Sequence, residues 1–325
     1  MFPQMTKLSY CLIGCRCPTL LNLVSFRQPQ IGTTIERTER VSEQMRILSV
    51  NVLFLFLFTL VLFLPLCPPA FAASIPHGSV ELVAENQWIA PGYQTYFGLK
   101  FDLEKGWHIY WVNPGDSGEP PRIEWHLPAG ISAGEIEWPA PRRLGMPTIV
   151  DFGYVDAVML LVSVRASSTV AANQPAKVGV DLRVLVCREI CVPGKTQILL
   201  TLPIKSMPPK VDSRTSDLFT AARKSMPRQA PGSWEFSASE QKDSFVLSAK
   251  LGREITRAAF LPLVESQIDN SAPQKFVATP NGFRLTLRKS DQLLNQIKRL
   301  KGVLEISANQ TYLIDVAVGN TQLSR

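Results

Sequence analysis

The chain has 325 residues, 46% hydrophobic and 19% charged, enough apolar content for a buried core in one or two domains. Of its formal charge of +7, residues 1–72 carry +3 (six basic, three acidic), leaving a mildly basic +4 for the rest. No basic stripe is interleaved with aromatics, so nucleic acid is not an expected partner. The 25 prolines, set between short apolar runs, favour β-structure with many turns over a helical bundle.

Residues 1–44 are polar and aperiodic, and read as an N-terminal extension from an upstream start. Residues 45–72 read as a signal peptide. Met45-Arg46 supplies a short basic start, and residues 52–64 form an apolar run of h-region length, short for a membrane span. Pro65, Pro68 and Pro69 follow, and Ala70-Phe71-Ala72 fits a small-x-small cleavage site, placing the mature start near Ala73. An uncleaved signal anchor is the alternative. Leu66 stands where a lipoprotein site needs a small residue before its cysteine, so Cys67 is not read as a lipid anchor. Cys11, Cys15 and Cys17 fall in the extension and Cys67 in the signal. Only Cys187 and Cys191 remain, and an even count in an exported domain makes a disulfide feasible.

From residue 78 strand patterns dominate. Phe97, Leu99, Phe101 and Leu103 alternate with Gly98, Lys100 and Asp102, the period of a strand with one buried face. Trp107, Ile109 and Trp111 repeat it, with His108 and Tyr110 on the other face. Those alternating aromatics read first as sandwich packing. Residues 113–121, with prolines and glycines, read as a long irregular loop, either a lid over the cysteines or a plain connection. Short strands are expected at 122–127, 135–138 and 158–164. Val178, Val180, Leu182, Val184 and Val186 share one face of a long strand. Thr196–Pro203 is its expected partner, with 187–195 as the connecting tip. This pattern describes a β-sandwich spanning 73–205.

Lys205, Pro208, Pro209 and Lys210 suggest a linker. A second, smaller β-rich domain with one or two helices is expected over 210–325. Ser213–Lys224 reads as a short helix with Leu218, Ala221 and Ala222 on one side. Ser290–Leu300 reads as another, with Leu293, Leu294, Ile297 and Leu300 at helical spacing and Ser290 as N-cap.

The chemistry concentrates in Cys187-Arg188-Glu189-Ile190-Cys191. Two cysteines four apart in a turn can reach disulfide distance, but so small a loop yields little entropic stabilisation. Arg188 and Lys195 favour a thiolate and Glu189 opposes it. Three readings of the pair stay open: a stapled hairpin tip, a redox couple, or two metal ligands. For a metal, His77, His108 and His126 show no ligand spacing, and neither metal nor cofactor is expected. Nucleophile-elbow, zincin, P-loop, dinucleotide and C-x-x-C signatures are absent.

Four segments carry a family resemblance: Gly106–Gly118 (GWHIYWVNPGDSG), Glu137-Trp138-Pro139-Ala140-Pro141, Phe152-Gly153-Tyr154, and Val186–Gly194 (VCREICVPG). The sequence resembles the N-terminal periplasmic region of DsbD-like and ScsB-like thiol:disulfide interchange proteins, specifically over about 78–205 and more weakly to about 318. The resemblance implies an immunoglobulin-like domain in the periplasm with Cys187 and Cys191 as the redox pair, Cys191 attacking. It also implies electrons from a membrane-embedded donor and delivery to exported clients, among them thioredoxin-like isomerases and cytochrome c maturation factors. The cysteine spacing is tighter than in the best-known DsbD members. No apolar run after residue 72 spans a bilayer, so the donor is expected to be a separate protein. The competing expectation is a non-catalytic binding or assembly factor with a structural disulfide.

Overall fold

The computed structural model describes residues 72–146, 148–307 and 310–320, so the extension and signal readings lie outside the described residues. The fold is all-β. The first sheet has the order β1 (Ala73–Ile75), β2 (Gly78–Ala84), β3 (Gln94–Leu103), β9 (Ala157–Ala166) and β6 (Ile131–Glu137). The second runs β11 (Cys191–Pro203), β10 (Pro175–Cys187), β4 (His108–Gly115), β8 (Ile149–Val155) and β7 (Arg142–Met146), with β5 (Arg122–His126) also paired to β10. The two sheets face each other as an immunoglobulin-like sandwich.

The period-two reading explains this packing. Phe97, Leu99 and Phe101 of β3 meet Val178, Val180, Leu182, Val184 and Val186 of β10 in one core, joined by Trp107, Ile109 and Trp111. Burying a side chain of this size contributes about 1.5–3 kcal/mol. Two of the motif segments meet inside it: the Tyr154 hydroxyl donates to the Pro139 carbonyl at 2.8 Å. Gly153 lies so close to β4 that a Cβ would stand 2.2 Å from the Ile109 carbonyl oxygen, so only glycine fits there.

Residues 228–320 build a third sheet, ordered β15 (Ala259–Pro262), β18 (Arg299–Ser307), β19 (Gln310–Asn320), β13 (Glu235–Glu240), β14 (Ser244–Lys250), β17 (Gly282–Arg288) and β16 (Lys275–Thr279), with β12 (Arg228–Gln229) beside β19. It has its own core around Phe245, Leu247, Phe260, Phe283 and Leu285, but Leu261 and Val303 belong to the core of the sandwich. Asn113, fully buried at the end of β4, donates to the Pro262 carbonyl at 2.7 Å. The described residues accordingly belong to one compact unit.

Three local expectations need correction. The expected helix at 213–224 is present as α1 (Ser216–Ser225), but its buried residues are Phe219 and Ala222, packed on Val83 and Leu161, whereas Ala221 is exposed. The bulk of Phe219 selects the buried face. Ser290–Leu300 is not helical. A helix of that length is marginal without a packing surface. Here the Ser290 hydroxyl accepts the Gln292 N–H in a local turn, Leu300 is drawn into β18 opposite Val316, and Leu294 is left 93% exposed. Finally, the tip between the long hairpin strands is only Arg188–Ile190, because pairing continues through Pro193 and Val192 to Cys191.

Candidate functional site

β10 and β11 pair without interruption from Pro175↔Pro203 to Cys187↔Cys191. The uninterrupted register sets the two cysteines directly opposite each other, Cα–Cα 4.1 Å, joined by a disulfide. Their surroundings differ because their strands differ. Cys187 also pairs with His108 on its other side, so it is flanked by two strands and 2% exposed. Cys191 lies on the outermost strand of the sheet and is exposed. Of the two residues, Cys191 is the one open to solvent.

Beneath the pair lies Tyr110, itself 1% exposed, with its hydroxyl 3.6 Å from Cys191 Sγ. Gly118 covers the tyrosine ring. It has φ +79°, and a Cβ would sit 2.1 Å from the ring, so glycine is required both for the backbone turn and for the space. The loop bearing it is fixed by Asp151, which accepts the Ser117 N–H at 2.9 Å and its hydroxyl at 2.8 Å. Asp116 accepts the Val150 N–H and, with its other oxygen, the Asn270 amide at 2.8 Å. Of the expected 113–121 loop, residues 113–115 continue strand β4, and residues 116–121 form a pinned loop that lays Gly118 over Tyr110.

Electrostatics here come from burial more than from nearby charge. Burial pushes the Tyr110 phenol up, with the Ser117 hydrogen bond working against it and Asp151 adding to the rise. Tyr110 thus stays a neutral donor, able to hydrogen-bond a thiolate at Cys191. Burial pulls His108 down from its ordinary value, partly offset by Asp151. It stands edge-on to Tyr110, ring centroids 5.3 Å apart, and its neutral ring brings no cation to the sulfurs. Arg188 at the tip bonds Glu189 and lies 5.3 Å over the Trp107 ring, which stacks on His77. The Arg188 hydrogen bond holds Glu189 below the usual carboxylate range. The charge expected to favour a thiolate is thus largely matched by its neighbour.

The two cysteines singled out from sequence meet, and Tyr110, first read as packing on the far strand face, proves to be the hydroxyl beside them. Its spacing from Trp107 and Trp111 signalled only a different face, and nothing local signalled contact with residue 191. His77 pairs with Glu104 and His126 with Asp181. Among the described residues no group of three or more His, Cys, Asp or Glu is arranged to hold a metal. Among them, too, no helix is long and apolar enough to cross a membrane.

Residues 71–203 match the family described as thiol:disulfide interchange protein DsbD, N-terminal. The N-terminal periplasmic domain of ScsB from Proteus mirabilis shares the fold, with a TM-score of 0.59 at 17% identity, covering 77% of this chain and 98% of that one. Tandem Ig repeats of Dlar align at a TM-score of 0.20 and 13% identity, over 75% and 99% of the two chains, too distant to add to this. No curated protein matches the chain.

Proposed function

We propose, taking residues 71–203 as a DsbD/ScsB-like N-terminal domain, that the chain is a thiol:disulfide interchange module acting through Cys187 and Cys191. The observation that carries this is the asymmetry of the disulfide: one sulfur open to attack above a buried phenol, the other sealed between strands. In the reduced protein the Cys191 thiolate attacks a client disulfide, forming a mixed disulfide and expelling one client thiolate. Cys187 then attacks Cys191 Sγ and releases the client's second thiolate. Two electrons and two protons pass to the client, and the Cys187–Cys191 bond is restored.

A separate membrane-embedded donor recharges the pair by the reverse sequence. The clients are periplasmic thioredoxin-like or cytochrome c maturation proteins. The sandwich of 73–205 performs the exchange and 210–325 supports it. The ScsB domain is described as periplasmic, and an oxidising compartment suits a disulfide that must reform.

The test is the reduction potential of the pair, by equilibration with thiol buffers. A value above about −300 mV is expected for an exchangeable bond. A value far below it, together with Cys187→Ser retaining full biological function, would instead establish a binding factor with a structural disulfide.

A further inference from the structure

We infer that a cationic row beside the disulfide is the docking track for an acidic segment of the thiol-bearing partner, a specificity element that rests on the exchange reading. Strand register places Arg122 of β5, Arg183 of β10 and Lys195 of β11 side by side across three adjacent strands. All three are exposed. Like charges directly opposite each other on a sheet destabilise it. Among the described residues Arg122 is matched by Glu119 at 3.3 Å, and no ion pair is made by Arg183. Lys195 lies near Asp181, but that carboxylate is taken by His126 at 3.1 Å.

The row forms one end of a cavity of about 400 Å³ whose lining carries these three cations against the single carboxylate of Glu119. Between the row and the disulfide the same strand face presents Leu185 opposite Pro193, both also lining the cavity. Arg183, Leu185 and Cys187 alternate along β10, as Lys195, Pro193 and Cys191 do along β11, so sulfur, apolar step and cations follow one another on one face. Four residues of strand separate the cations from the cysteines, about 13 Å. An extended segment whose sulfur meets Cys191 therefore brings a side chain four residues away over the cations, and only an anionic one relieves their repulsion. Glu119 and Pro120, continuing the loop that covers Tyr110, form one wall of the same cavity.

The step is ordinary exchange. The segment's thiolate attacks Cys191 Sγ, the Cys187–Cys191 bond breaks, and Cys187 leaves as thiolate. A second segment thiolate then attacks the segment's own sulfur in the mixed disulfide, freeing Cys191 as thiolate and leaving the two segments joined by a disulfide.

The experiment uses two short peptides with a central cysteine, one with glutamate four residues to either side and one with glutamine there. Their second-order rates of opening the disulfide are compared as a ratio at low salt. One screened contact between unit charges corresponds to about a fivefold preference, so the glutamate peptide is expected to be at least about fivefold faster. The ratio should fall towards one at about 0.5 M salt and in the Arg183→Gln, Lys195→Gln double variant. Equal rates for the two peptides, or a ratio undiminished in the double variant, would overturn the docking track while leaving exchange intact. Failure of both peptides and of dithiothreitol to open the bond would overturn the exchange reading, and the track with it.

Discussion

Tyr110→Phe removes one atom, the hydroxyl 3.6 Å from Cys191 Sγ, and leaves the ring that Gly118 covers. Burial keeps this phenol protonated, so in the reduced protein it donates to the Cys191 thiolate and stabilises the charged form. Hydrogen bonds to charged groups contribute about 1.5–3 kcal/mol; a long contact to sulfur falls at or just below the bottom of that range, about 1.4 kcal/mol, or one unit on the pH scale. The sign follows: without the donor the thiolate is less stable, and the midpoint of Cys191 alkylation moves to higher pH by about one unit. Near pH 7 the thiolate fraction then falls up to about tenfold. The more basic thiolate is the better nucleophile, with a Brønsted slope of about 0.4–0.5, which returns about half of that loss on a logarithmic scale. The net expectation is a roughly threefold slower alkylation at neutral pH. The assay is iodoacetamide alkylation of the reduced Cys187→Ser protein, with and without Tyr110→Phe, across pH 5–10, with circular dichroism to verify folding. An unchanged or lowered midpoint in a folded Tyr110→Phe protein would refute the assignment of the hydroxyl to the thiolate.

Two further outcomes concern stability. Phe219→Ala, which empties the main contact of α1 with Val83 and Leu161, is expected to lower unfolding free energy by about 3–5 kcal/mol in urea titrations. Asp212 is held below the usual carboxylate range first by the Arg214 side-chain hydrogen bonds, with burial opposing. Its contribution is therefore present above the ordinary aspartate value of about 3.9 and is lost as pH falls through the lowered folded value. Arg214→Leu should flatten that acid limb of melting temperature against pH; an identical limb in both proteins would count against the pairing.

Much of the sandwich was legible because a half-buried strand writes its face in alternate residues, as in Phe97–Leu103 and Val178–Val186. The cysteine pair was legible from its spacing within a hairpin. What was not legible depends on register between distant segments. Arg122, Arg183 and Lys195 look like scattered surface charges until three strands align them. Tyr110 alternates out of the main core, yet a loop covers it and makes it as buried as Trp111. The 290–300 segment shows the opposite failure. Helical spacing of Leu293, Ile297 and Leu300 was a true local preference, overridden when β19 offered Leu300 a partner.

The bonds from Asn113 to Pro262 and from Asn270 to Asp116 have a consequence for where this molecule can be divided. A chain cut after residue 203 would hold both cysteines and every strand that the family match covers. It would also leave Asn113 with its amide N–H groups stranded, bare the part of the core that Leu261 and Val303 fill, and untie the segment over Tyr110 from its outer anchor. The stretch that the family match covers is thus smaller than the unit that holds this disulfide's surroundings in shape. Residues remote in sequence, 260–271, act as part of the housing of the sulfur they never touch.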